Sequence, residues 1–166
     1  MKLTNEKIQN AVIEAVGKEA LPIVEYLKKR RNISDFKIAE KTNMSVQKAR
    51  NLLYRLYANG IVSYIRRKDP VKGWYISYFT FNKKGTKYLI KRLRKQNLEK
   101  YKERLEIEEN GNLFFICPNL CVRLNLDNSA DFEFHCPECG DLLKQQDNRK
   151  TIKYIKERIR ELEVAS

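Results

Sequence analysis

Apolar residues recur at helical spacing through the first part of this chain, alternate through two short runs, and return to helical spacing before a cysteine-bearing segment. Ile8, Val12, Ala15 and Val16 predict a first helix, with Thr4 placed to cap it and Gly17 to stop it. Leu21, Val24 and Leu27 mark a second helix, in which Pro22 is tolerated near the first turn and the basic run Lys28 to Arg31 suits the C-terminal end. Asn32 breaks that pattern. Ser34 and Asp35 begin a short helix with Ile38 and Ala39 inward, and the tight turn Asn43-Met44-Ser45 leaves Ser45 to cap the next one.

In that next helix Val46, Ala49, Leu52, Leu53 and Leu56 share one face, which leaves Gln47, Lys48, Arg50, Asn51, Tyr54 and Arg55 mostly on the other. Asn59-Gly60 supplies a left-handed stop. Two strand-like runs follow, Ile61 to Arg67 and Trp74 to Phe81, joined by Asp69-Pro70-Val71-Lys72-Gly73 as a hairpin connection. A helix-turn-helix followed by a hairpin is a winged helix.

From Lys83 to Glu109 the chain is highly charged, with Leu89, Leu93, Leu98, Tyr101 and Leu105 at helix-compatible intervals and no sustained heptad, which predicts a long, partly exposed helix. After Asn148 a tail helix carries Ile152, Ile155, Ile159 and Leu162 on one face; it either caps the neighbouring domain or binds a partner, with the first role preferred. The expected architecture is α+β, mainly α. It divides into a winged helix-turn-helix domain over 1–83, a basic helical linker over 84–111, a zinc ribbon over 112–144 and a C-terminal helix over 145–166.

The cysteines carry the most specific chemistry. Cys117-Pro-Asn-Leu-Cys121 is followed by fourteen residues and then Cys136-Pro-Glu-Cys139-Gly140, so two short turns can each present a thiolate pair to one tetrahedral ion. Four sulfurs leave no open position for water, and the site is expected to be structural. Zinc is the favoured ion, with rubredoxin-like iron or disulfides as rivals. Phe114, Phe115, Val122, Phe132 and Phe134 are the few expected core residues, too few for so small a unit to fold without a metal cross-link. His135 is the sole histidine; four cysteines already complete the shell, so it is read as structural or exposed.

Charge then narrows the partner class. Lys plus Arg number 34 against 21 Asp plus Glu, a formal net charge of +13, which points to a polyanion such as nucleic acid; a lysine-rich or heat-adapted proteome would give the same balance. The ribbon holds Asp127, Asp131, Glu133, Glu138 and Asp141 against few cations, which fits a protein partner better than DNA. No apolar run is long enough to cross a bilayer, and a cytoplasmic or nuclear location is expected. The polar face of the helix from Val46 to Leu56 can read a major groove, yet a solvated or protein-docked face is the commoner reason for such a pattern. Lys91, Arg92, Arg94 and Lys95 can touch nucleic acid, although a charge run on a helix is more often a solvated face. At the wing, Arg66, Arg67, Lys68 and Lys72 surround Trp74 and Tyr75, a combination suited to stacking on unpaired bases with phosphate contacts; the alternative is a hairpin whose aromatics pack on the helices.

The segment Asp69-Pro-Val-Lys-Gly-Trp-Tyr, the run Leu-Leu-Tyr-Arg-Leu-Tyr from Leu52 to Tyr57 and the knuckle Cys-Pro-Glu-Cys-Gly from Cys136 resemble the archaeal transcription factor E family, counterpart of the alpha subunit of the eukaryotic general transcription factor IIE. The resemblance covers almost the whole chain. Its first knuckle departs from the family's Cys-x-x-Cys, because Cys117 and Cys121 enclose three residues with no following Gly. The resemblance implies a non-enzymatic basal initiation factor of the archaeal cytoplasm that binds RNA polymerase at its clamp and stalk, assists promoter melting and stabilises the open complex. The implied partners are promoter DNA, above all the melted non-template strand, together with TATA-binding protein and transcription factor B, with room for a second factor subunit.

Two other function classes compete. A sequence-specific winged-helix regulator would need a dimer with its recognition helices one DNA turn apart. A metal-dependent hydrolase or nuclease is disfavoured by the closed sulfur shell and by the lack of any histidine–carboxylate constellation around a single histidine.

Overall fold

The computed structural model describes residues 3–70, 73–110 and 113–164. The chain forms two compact units, Met1–Arg94 and Lys95–Ser166. The first contains α1 (Asn5–Ala15), a short 3-10 turn (Lys18–Ala20), α2 (Leu21–Leu27), β1 (Ile33–Ser34), α3 (Asp35–Lys41), α4 (Val46–Ala58), β2 (Val62–Lys68), β3 (Tyr75–Phe81) and the start of α5 (Lys83–Glu109). This is the winged helix-turn-helix that the pattern predicts.

Local chemistry sets its helix ends. Thr4, Ser34 and Ser45 each lie in extended backbone just before a helix, and their side-chain oxygens accept the N–H of Lys7, Lys37 and Lys48 at 3.4, 3.3 and 3.3 Å. Those donors have no partner inside the helix, which is why a short polar side chain is favoured there. At the end of α4, Gly60 takes φ +71° while Gly60 N–H bonds to Tyr57 O at 2.8 Å and Ile61 N–H to Leu56 O at 2.9 Å. That double closure stops the helix and turns the chain into β2.

The sheet order is β1-β3-β2, with β3 antiparallel to both neighbours; Phe79 lies opposite Ile33 on one side and Tyr64 on the other. Phe79 is buried with Ile23, Leu27, Ile38, Leu53, Leu56 and Leu89, so the sheet's inner face closes the helical core. Truncating Phe79 to Ala would cost about 3–5 kcal/mol, as for other large buried aromatics. β1 is absent from the sequence reading because two residues cannot display an alternating pattern. Ile23, not anticipated in the α2 stripe, is fully buried.

α5 joins this core through a close backbone approach. Asn82 caps it, accepting the Gly85 N–H on its side-chain oxygen at 3.0 Å, while Asn82 O accepts the Thr86 hydroxyl at 2.7 Å. A Cβ on Gly85 would stand 2.1 Å from Gly60 O, so only glycine lets the helix start there.

The second unit holds the rest of α5, then β4 (Phe114–Ile116), β5 (Arg123–Asn125), α6 (Leu126–Asp131), β6 (Lys144–Gln146) and α7 (Arg149–Val164). Its sheet order is β5-β4-β6, antiparallel throughout. The ribbon core is Cys117, Cys136 and Leu143 with Phe115, Val122 and Leu124 against it. Phe132, expected inside, is 47% exposed: the intervening α6, capped by Asn125 through the Asn128 N–H at 3.0 Å, carries the chain outward there. Ile155 and Ile159 of α7 are buried, and the helix is tied to α5 by Lys102–Glu163 at 3.0 Å and Lys156–Glu109 at 2.6 Å. Among the described residues, no helix is long and apolar enough to cross a membrane.

Candidate nucleic-acid interface and metal centre

The wing tip is closed by Asp69 N–H to Trp74 O at 2.8 Å and Gly73 N–H to Asp69 O at 3.0 Å, with Gly73 at φ +74°. Trp74 and Tyr75 are 54% and 62% exposed, so each leaves more than half of its surface open to solvent. Arg66, Arg67 and Lys68 are exposed beside them, and the Arg66 guanidinium lies 5.8 Å from the Tyr75 ring centre. Lys72 lies outside the described residues. In the hairpin register Arg66 opposes Ser77 and Lys68 opposes Tyr75, whereas Arg67 opposes Ile76. Side chains of successive strand residues alternate between faces, so the tip presents cations on both. Phe79 is buried and Phe81 partly so, in keeping with packing roles deeper in the hairpin.

Below the tip, Tyr64 of β2 meets Tyr57 and Tyr54 of α4 edge-on, with centroids 4.9 and 6.4 Å apart. Tyr54 and Tyr57 remain about half exposed, at 48% and 49%. The wing and α4 are thereby joined through aromatic contacts rather than through a loop alone.

The polar face of α4 needs one revision. Arg50 Nε donates to Asp35 Oδ2 at 2.6 Å, its guanidinium lies 5.1 Å over Phe36, and Asp35 is only 3% exposed. Removing Arg50 from that acid would leave a buried carboxylate without its cation, so Arg50 secures the α3–α4 corner instead of reading bases. Lys48 is paired with Glu19 at 3.1 Å. Gln47, Asn51 and Arg55 remain exposed on this face.

The sulfurs of Cys117, Cys121, Cys136 and Cys139 lie within 4.8 Å of one another, an arrangement that could hold a metal ion. The thiols are free, and Cys117 and Cys139 stand 3.4 Å apart, beyond a disulfide bond and close to the roughly 3.8 Å edge of a tetrahedral four-sulfur site. The donor set and spacing fit zinc.

Both knuckles close over the same number of residues but turn differently inside that closure. Cys117 N–H bonds to Val122 O at 3.1 Å and Cys136 N–H to Asp141 O at 2.8 Å, a separation of five residues in each case. In the second turn Gly140 holds the left-handed conformation at φ +77° and Cys139 precedes it; in the first, Leu120 holds it at φ +59° and Cys121 follows. Leu120 N–H bonds to Cys117 O and Gly140 N–H to Cys136 O, so the three-residue spacing comes with a tighter first turn inside a closure of equal length. Its cost is a β-carbon in a backbone region that favours glycine.

Amide donors surround the sulfurs. Asn119 N–H reaches Cys117 Sγ at 3.3 Å, and Asn119 Nδ2 reaches Cys139 Sγ at 3.6 Å. The Asp141 backbone N–H and then the Asn119 side chain hold the Cys139 thiol down at about 7. Hydrogen bonds with the Cys139 and Cys117 sulfurs push Cys121 up to about 12, and burial raises Cys136. His135 is exposed, forms a single bridge to Leu142, and turns Nδ1 to Glu133 O at 2.8 Å.

Comparison with known proteins agrees with this arrangement. The family model described as TFIIE alpha subunit matches residues 6–110. Transcription factor E of Thermococcus kodakarensis is 34% identical over 164 residues, covering 98% of this chain and 88% of its own. The Pyrococcus horikoshii protein of that name is 33% identical, covering 99% and 86%, and that of Methanosarcina acetivorans 33%, covering 95% and 93%. Among solved structures, a possible transcriptional regulator from Methanosarcina mazei shares the fold over 63% of this chain and 87% of its own, with a TM-score of 0.52 at 14% identity. The family match and the near full-length relatives together establish that the chain belongs to the TFIIE alpha subunit family, and with it to the transcription initiation factors.

Proposed function

We propose that this chain acts as a basal initiation factor: it binds RNA polymerase and promoter DNA, assists melting and stabilises the open complex without chemistry of its own. The observation that carries this reading is the wing tip, where exposed Trp74 and Tyr75 stand among Arg66, Arg67 and Lys68. Duplex DNA hides the faces of its bases and melted DNA offers them, so a surface that stacks and holds phosphate favours the open form. Lys72 belongs to the same basic segment by sequence. One zinc ion, held by Cys117, Cys121, Cys136 and Cys139, would cross-link the ribbon as a structural element. The acidic and apolar ribbon and the helical linker are the surfaces assigned to polymerase, and TATA-binding protein and transcription factor B are the expected neighbours in the complex.

The test is an initiation assay with purified polymerase, TATA-binding protein and transcription factor B on a promoter carrying a fluorescent base in the melted region. Added full-length chain should bind polymerase and raise the fluorescence of the opened strand. Tight, salt-resistant binding to one duplex sequence without polymerase would instead support a sequence-specific regulator.

A further inference from the structure

Away from the wing tip, the first unit carries a second basic surface. A groove of about 620 Å³ is lined by Lys28, Lys29, Arg30, Arg31, Asn32, Ser63, Thr80, Phe81 and Lys83, with no acidic side chain among these residues. It brings together the segment after α2, the base of the β2–β3 hairpin and the first residue of α5.

The cations of this groove are not equivalent. Lys28 is bonded to Glu25 at 2.6 Å and to Asn5 at 3.3 Å, so its charge is already compensated. Arg30 donates to Tyr26 O at 3.0 Å and lies 4.3 Å over the Tyr26 ring, which satisfies the carbonyl end of α2. Lys29, Arg31 and Lys83 are exposed and pair with no acid among the described residues. Lys83 also opens the 27-residue α5, whose N-terminal end adds a favourable field for an anion.

The polar floor is built. Asn32 adopts φ +52°, its N–H donates to Thr80 Oγ1 at 2.9 Å, and the Thr80 hydroxyl donates to Asn32 Oδ1 at 3.2 Å. Ser63 lies directly opposite Thr80 in the hairpin register. Lys, Arg, Ser, Thr and Asn side chains together are the set that holds nucleic-acid phosphates, whereas a protein partner would be expected to find an apolar anchor, and only Phe81 is apolar here. Ser63 and Thr80 share a face of the hairpin with Arg67, four residues toward the tip, or roughly 13 Å along the strand. Ile65 and Tyr78 lie between them on that face, so the groove and the wing tip are two separate basic patches of one hairpin face.

We propose that this groove is a second DNA site, which grips the phosphate backbone of duplex DNA through Lys29, Arg31 and Lys83, while the wing tip meets unpaired bases. The inference deepens the initiation-factor reading and rests on it only for the choice of DNA as the polyanion.

The test compares the full chain with a groove variant, Lys29→Gln/Arg31→Gln/Lys83→Gln, and a control of equal charge, Lys18→Gln/Lys37→Gln/Lys41→Gln. Binding to a short fluorescein-labelled duplex of mixed sequence is followed by anisotropy across a salt series. The groove variant should lower the slope of log affinity against log salt by roughly 2–3 units, as expected for three lost phosphate contacts, and the control by less than about one. An unchanged slope, or equal loss in both variants, overturns the proposal. Intact duplex binding with lost polymerase binding also overturns it and makes an acidic protein surface the occupant. Polymerase binding by the parent chain is measured alongside, so failure of the initiation-factor reading is seen separately from the salt slope.

Discussion

Glu108, 2% exposed near the end of α5, accepts a hydrogen bond from Arg123 Nη2 of β5 at 2.9 Å. Asn148, just before α7, donates to the same carboxylate at 3.2 Å and to Glu108 O at 2.9 Å, while Arg123 lies 3.7 Å over the Phe114 ring and bonds to Gln146 of β6. This ion pair, with its carboxylate buried and its guanidinium partly exposed, links α5, all three strands of the ribbon sheet and the start of α7. Arg123→Ala should destabilise the second unit by about 1–3 kcal/mol, because the buried carboxylate loses its close cation and keeps only the Arg104 guanidinium, 4.0 Å away and more than half exposed. Arg123→Lys should lose less, keeping the charge but not the second donor to Gln146. Denaturant unfolding with hydrogen exchange locates the effect; equal stability of Arg123→Ala and parent would refute it.

The left-handed residues of the two knuckles, Leu120 and Gly140, have outcomes of opposite sign. Leu120 is 77% exposed, so Leu120→Gly loses no apolar burial while removing a β-carbon at φ +59°. The relief exceeds the added freedom of the unfolded glycine by about 0.5–1 kcal/mol. Because metal binding and ribbon folding are coupled, zinc affinity should rise roughly twofold to fivefold in a chelator competition. Gly140→Ala meets no atom within 4 Å but keeps φ +77°, and should weaken zinc instead.

Acid should strip the metal. Metal binding needs thiolates, and Cys139 is held at about 7 while Cys121 stands at about 12 without an ion, so protons must leave as zinc enters. Apparent zinc affinity should therefore climb from about pH 6 to about pH 8 with measurable proton release. One zinc per chain is expected, lost with ribbon folding in Cys136→Ser or Cys139→Ser. Iron in the purified protein, or a folded ribbon without metal, would contradict this.

Gly85→Ala places a Cβ 2.1 Å from the Gly60 carbonyl oxygen. Both partners are backbone, and neither can swing away, so the cost should reach about 3 kcal/mol, the upper range for overpacking. Gly73→Ala at the wing has open space and should lose only about 1 kcal/mol from its positive φ. A thermal-melt comparison of the two separates crowding from backbone preference.

Features set by neighbouring residues were legible in the sequence. Ser45 before α4, Asn59-Gly60 after it and the span of α5 all follow from bonds made within a few positions. Relations across the fold were not. The pairing of Arg50 with Asp35 joins residues fifteen apart, and the basic run Lys28 to Arg31, a helix end as its pattern says, gives no sign of the Ser63, Thr80 and Lys83 that lie beside it. Similarly, the equal closures of the two knuckles, Cys117 to Val122 and Cys136 to Asp141, are backbone bonds that residue types do not display.

The wing carries the most direct functional consequence. Stacking on an unpaired base contributes about 1–3 kcal/mol, and that energy is available to Trp74 and Tyr75 only when the duplex is open. A contact made in one state alone shifts the equilibrium toward that state by its full amount, so these two residues would favour melting by roughly fivefold to a hundredfold. Trp74→Ala/Tyr75→Ala should reduce stimulation on a fully paired promoter within that range and leave polymerase binding largely intact. Since both side chains are more than half exposed, the variant should fold, which circular dichroism and a melting curve check first. A template with a pre-opened bubble has already supplied the melting energy and should depend far less on the aromatic pair. Undiminished stimulation of the paired promoter by a folded, polymerase-bound double variant would mean that the two rings serve docking, and that melting is driven elsewhere.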